Sequence, residues 1–71
     1  MSTIRVQYGL RIKDLRDERG LSQRGFAARI GMSPTYLADV ERGARNVSIG
    51  NMKRIADGFG VTFHEMTEGM E

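Results

Sequence analysis

The stretch LSQRGFAARIGMSPTYLADVERG, residues 21–43, decides the fold. It reads as two short amphipathic helices joined by a glycine turn. The first opens at Ser22, whose hydroxyl can accept a hydrogen bond from an orphan N–H of the opening turn. It carries Phe26, Ala27 and Ile30 at i, i+1 and i+4, which makes one buried face. Gly31 then ends it, because glycine enters the left-handed region without a Cβ clash. The second helix opens with Ser33 as N-cap and Pro34 at the first helical position, where the missing N–H costs nothing and the fixed φ suits the helix. Leu37 and Val40 turn inward. At about 100° per residue, Thr35, Asp39 and Arg42 fall on the opposite face, a stripe of donors and acceptors suited to base edges and phosphates.

Working outward, a wider set of residues recurs in a fixed order: Tyr8-Gly9, Arg16, Gly20-Leu21-Ser22-Gln23, Ala27, Gly31, Tyr36-Leu37, Val40-Glu41-Arg42-Gly43, Ile55-Ala56, Gly60-Val61 and Glu65-Met66. The pattern resembles the lambda-repressor-like, Cro and xenobiotic-response-element family of small bacterial and phage DNA-binding domains, and it covers most of the chain. The resemblance implies an all-α fold of five helices, with a helix-turn-helix over about 22–42 placed in the major groove of double-stranded DNA. It implies that Gln23 meets a phosphate, and that Arg42, Arg45 and Asn46 lie along the sugar-phosphate backbone and position the protein. It also implies an ion pair between Arg16 and Glu41. There are two departures. Gly25 stands where many relatives carry a Glu that closes a capping box, so the start of the first helix of the motif is expected to be held less firmly. Pro34 stands where several relatives carry a long polar side chain that reads bases, so DNA shape is expected to contribute more than usual.

Length and charge agree with that reading. Seventy-one residues make a single domain, 1–71, close to the size at which one core is only just sufficient. The chain has no cysteine, hence no disulfide framework and no thiolate zinc site, and a reducing cytoplasm is the expected compartment. No apolar run approaches the roughly 18 residues of a membrane span. The net charge is +2, but all 11 Lys and Arg fall in residues 1–54 against five acids, and residues 55–71 carry four acids and no Lys or Arg. A basic front with an acidic tail fits a nucleic-acid surface on one side; the plainer reading is an unevenly solvated surface.

The rest of the chain reads as three further helices. One runs from about Val6 to Arg19, with Tyr8, Ile12 and Leu15 in phase and Gly20 as its stop. Another starts at the Ser48 cap and is expected to bury Ile49, Met52, Ile55, Ala56 and Phe59. The last opens on Thr62-Phe63-His64-Glu65, a capping box, and residues 67–71 are expected to fray. Gly25, inside the first helix of the motif, and Gly50 and Gly58, inside the helix that starts at Ser48, each cost about 1 kcal/mol relative to alanine.

The candidate DNA-contacting residues are Gln23, Ser33, Thr35, Tyr36, Asp39, Arg42, Arg45 and Asn46. Thr35 can meet a base edge through its hydroxyl and a thymine through its methyl. Asp39 has two readings, a carboxylate accepting from cytosine N4 or an internal partner of Arg42 at i+3. Tyr36 sits at the edge of the apolar face, either reaching a phosphate with its hydroxyl or wholly structural. Phe59, Val61 and Met66 are expected in the core, leaving Phe63 and Met70 as the candidate dimer interface.

No catalytic set is visible. His64 is the sole histidine and has no companion ligand, so no metal is expected. Gly58-Phe59-Gly60 falls at a helix end without a phosphate-binding context. An all-helical chain of this size also leaves little room for a ligand cavity, so neither a cofactor nor a small-molecule ligand is expected. The expected function is a transcriptional regulator that binds a palindromic operator as a homodimer, resembling restriction-modification controllers or small phage repressors. The alternative is a protein-interaction module, such as the antitoxin half of a toxin-antitoxin pair or an antirepressor.

Overall fold

A computed structural model describes residues 3–70, which form five helices and, among the described residues, no strand. They are α1 (Ile4–Glu18), α2 (Gln23–Arg29), α3 (Pro34–Glu41), α4 (Ile49–Phe59) and α5 (Phe63–Thr67). Each begins the same way. Thr3, Ser22, Ser33, Ser48 and Thr62 sit in extended backbone, and each hydroxyl accepts from the N–H three residues on. Such caps typically contribute about 1 kcal/mol each. In α5 the Glu65 carboxylate also accepts from the Thr62 N–H at 2.8 Å, which closes the box, whereas Gly25 of α2 has no side chain with which to do so.

One boundary differs from the sequence reading. Helix α1 starts two residues before Val6, because the Thr3 hydroxyl accepts from the Val6 N–H at 3.3 Å and so organises an extra half turn. Residues 67–70 close a turn, with Met70 N–H donating to the Thr67 carbonyl at 3.1 Å; Glu71 lies outside the described residues.

The core gathers one stripe from every helix: Tyr8 and Ile12, Phe26 and Ala27, Leu37 and Val40, Ile55, Ala56 and Phe59, and Met66. Met32, in the turn between α2 and α3, joins them. Phe26 and Phe59 stack with ring centroids 4.0 Å apart and planes 11° from parallel, which fastens the motif to α4. Ile30, Leu15, Met52 and Val61 pack partly buried against this core. Ile49 does not. It is 75% exposed, because at the first position of α4 the apolar stripe has run past its neighbours.

Close approach explains two glycines. A Cβ on Gly9 would lie 2.3 Å from the Glu41 carbonyl oxygen, so α1 meets the end of α3 backbone to backbone. One on Gly58 would lie 2.3 Å from Ile30 Cγ2. The helix propensity lost at these positions is exchanged for packing that a methyl would prevent. The far end is tied by Arg11 of α1, which donates to the carbonyls of Glu65, Met66 and Glu68 at 2.8–3.1 Å and so satisfies the orphan acceptors at the end of α5.

Candidate nucleic-acid interface

Helix α3 is anchored on its inner side and open on its outer side. Ser33 accepts from the Tyr36 N–H, Pro34 occupies the first helical position, and Leu37 and Val40 are buried beneath. Glu41 faces inward too. Its two oxygens accept from Arg16 Nε at 2.6 Å and Arg16 Nη2 at 2.8 Å, a fork-to-fork pair whose side chains are 11% (Arg16) and 6% (Glu41) exposed. Arg16 Nη1 also donates to the Leu21 carbonyl at 3.0 Å. One guanidinium therefore joins α1, the approach to α2 and the end of α3. Its hydrogen bonds to Glu41 hold the guanidinium pKa above its ordinary value.

On the outer side Thr35 is exposed, and Asp39, one turn on, holds two cations. Its Oδ1 accepts from Arg42 Nη2 and its Oδ2 from Arg45 Nε at 3.3 Å. These bonds, Arg42 first, keep the Asp39 carboxyl below the usual carboxylate range. Both guanidiniums still face solvent, with the Arg42 and Arg45 side chains 68% and 50% exposed. Arg45 also lies over the Tyr36 ring, 4.9 Å from its centroid. The half-buried Tyr36 accepts through its hydroxyl from Asn51 Nδ2 of α4 at 3.2 Å, leaving the phenolic hydrogen free to donate.

The structure thus brings Thr35, Tyr36, Asp39, Arg42 and Arg45 together on one face. Gln23 stands apart, half-buried at the first position of α2. Asn46 is exposed and lines a small cleft of about 140 Å3 with Ile4, Arg5, Tyr8, Val47 and Met52. One contributor had no signal in the sequence. Asn51 reads as one more polar residue in a first turn, yet it holds Tyr36 from 15 residues away. Arg29, Lys53 and Arg54 line a groove between α2 and α4 together with Asp57, which pairs with Lys53 at 2.9 Å.

At the C-terminal end Phe59 and Met66 are buried, and Val61 packs on the core. Met70 also packs on it, half-buried, whereas Phe63 is 40% exposed. No helix among the described residues is long and apolar enough to cross a membrane.

Comparison with known proteins gives a consistent answer. A control protein, C.MunI from a Mycoplasma species, is 40% identical over 72 residues, which span 100% of this chain and 97% of that protein. The solved structure of the restriction-modification controller protein C.AhdI from Aeromonas hydrophila superposes with a TM-score of 0.83 at 37% identity, covering 87% of this chain and 94% of that one. The controller protein C.Esp1396I, solved as a tetramer in complex with its natural 35 base-pair operator, superposes with a TM-score of 0.82 at 30% identity, covering 93% and 91%. The profile of the helix-turn-helix family matches residues 12–66, from the middle of α1 into α5, and the chain belongs to that family.

Proposed function

We propose that this protein is a sequence-specific DNA-binding transcriptional regulator that lays α3 in the major groove of a palindromic operator as a homodimer. The observation that carries the reading is the outer face of α3 and its following loop. Thr35 is exposed at the start of a helix that ends in two solvent-facing arginines and whose inner face is anchored by Leu37, Val40 and Glu41. Thr35 is the residue for base edges. Arg42 and Arg45, with Gln23, Ser33, Asn46 and the Tyr36 hydroxyl, are the residues for the sugar-phosphate backbone. The operator complex of C.Esp1396I, a neighbour in fold, supports the DNA-binding reading.

Two copies serve the two half-sites of the operator. The longest dimension of one chain is 30 Å, less than the roughly 34 Å that separates successive major-groove faces on one side of a duplex. Phe63, exposed next to the buried Met66, is the proposed centre of the dimer contact, with Met70 at its edge. The protein acts without a cofactor or metal, in the cytoplasm, where its DNA is found.

A gel shift against fragments of the region upstream of its own gene tests the DNA reading. Saturable, salt-sensitive binding to one fragment is expected. Failure to shift any fragment, together with co-purification with a small toxin, would replace it with the protein-interaction reading. Analytical ultracentrifugation tests the interface. The wild type should sediment as a dimer at micromolar concentration and Phe63→Glu as a folded monomer that has lost cooperative binding, because two carboxylates would face each other across the two-fold axis. A Phe63→Glu variant that remains dimeric would move the interface elsewhere.

A further inference from the structure

Asp39 is a half-buried carboxylate, its side chain 22% exposed, that helix stability does not explain. It lies in the last turn of α3, at the negative end of the helix dipole, where cations are favoured and acids are not. Unlike Glu41, its partners are solvent-facing, and ion pairs of that kind contribute little to stability. Its position is on the outer face one turn from Thr35, where phosphates would repel it. Yet it holds both cations of that face at once, and the second of them, Arg45, is gripped from its other side by Tyr36 and, through the Tyr36 hydroxyl, by Asn51 of α4.

We infer that Asp39 is a specificity-determining residue that restrains Arg42 and Arg45 from binding phosphate indiscriminately; this rests on the DNA-binding reading above. In the free protein one carboxylate cancels one of two positive charges and ties both guanidiniums to the end of α3. Any duplex gains phosphate attraction from the arginines and loses part of it to repulsion from Asp39. A duplex that presents an amine donor opposite Asp39, cytosine N4 or adenine N6, returns a hydrogen bond to the carboxylate and recovers that loss. A duplex without the donor does not. Discrimination then comes from a repulsive element relieved only on the right sequence, which leaves the arginines themselves free of any role in reading bases.

The test removes the charge and keeps the shape. Wild type, Asp39→Asn and Asp39→Ser are titrated by fluorescence anisotropy against two duplexes over a potassium chloride series. One duplex is selected by the wild type from a randomised pool; the other is unrelated, of equal length and composition. Circular dichroism establishes that each variant is folded. The serine variant guards against new base contacts made by the asparagine amide. Both variants should bind the unrelated duplex about tenfold more tightly, with a salt dependence steeper by about one ion, while affinity for the selected duplex changes less. The ratio of the two affinities therefore falls. Parallel weakening on both duplexes would show that Asp39 merely positions the arginines, and an unchanged ratio would show that it has no part in selection; either overturns the inference. A wild type that binds no duplex at all overturns the DNA reading beneath it.

Discussion

Asp39 and Glu41 stand two residues apart on α3, and the roughly 200° of helix rotation between them sends one carboxylate outward and the other inward. Both are paired with arginine. Glu41 meets Arg16 in a bidentate pair that is almost wholly shielded, between helices contributed by distant parts of the chain. Asp39 meets Arg42 and Arg45, which lie three and six residues further along the chain and face water. The same chemistry therefore does different jobs. A shielded pair is costly to break because the survivor is left charged and unsolvated, so it fixes the arrangement of helices. An exposed pair is easily exchanged for water or for another anion, so it can be given up when a ligand arrives.

The largest expected effect breaks the inner pair. Glu41→Ala strands the Arg16 guanidinium and should cost about 3–5 kcal/mol in urea denaturation. At about 0.05–0.15 kcal/mol per residue, that is a large share of the stability of a domain this small. Replacing Arg16 and Glu41 together by apolar residues of similar volume should recover most of it. If the single change costs as little as an exposed pair does, the contrast between the two faces is lost.

On the outer face, Thr35→Ala should alter preference at one or two base pairs, by about 1–3 kcal/mol there, in competition binding against single-position operator variants. Arg42→Ala should act differently, weakening all sequences alike and reducing the salt slope by about one ion. Equal loss on every duplex for both variants would remove the division between base reading and positioning. Thermal or urea melts of Asp39→Asn at neutral pH should show only the small loss of an exposed ion pair, far less than Glu41→Ala.

The smallest effect is on acid stability. Thr62 hydrogen bonds, that from its backbone N–H first, hold the Glu65 carboxyl below its usual range, as Arg42 holds Asp39. For a depressed carboxylate the stabilisation is present above the unfolded-state pKa and is lost as pH falls through the folded-state value. Urea midpoints should therefore drop as the pH passes below the ordinary carboxylate range. Glu65→Gln should remove part of that drop while leaving the contribution of Asp39.

Much of this arrangement can be read from short-range pattern. Ser33-Pro34, the Thr62-to-Glu65 box and the inward phase of Leu37 and Val40 all rest on groups within four residues of each other. The pairing of Asp39 with Arg42 is of the same kind, three residues apart on one helix. Ile49 shows where periodicity stops informing. Its apolar character fits the stripe of α4, but an end position has no neighbouring helix to cover it. Arg11 shows the converse, a charged residue with no motif around it that closes α5 from 54 or more residues away. Asn51 gives no local hint of Tyr36 because its phase on α4 says which way it points and nothing about what is there.

What the sequence determined by itself was four of the five helix starts, the glycine stops and the division of α3 into an inner and an outer face. Hydroxyl caps, left-handed glycines and helical periodicity act over a few residues and need no knowledge of the rest of the chain. The tertiary structure alone decided how α1 meets α3 over Gly9 and that Arg11 is consumed in closing α5. Arg11 and Arg16 are spent on carbonyls and a carboxylate that packing brings to them, while Arg42 and Arg45 stay in solvent. An arginine carries the same charge and donors wherever it stands, so its role depends on the acceptors that folding places within about 3 Å of it.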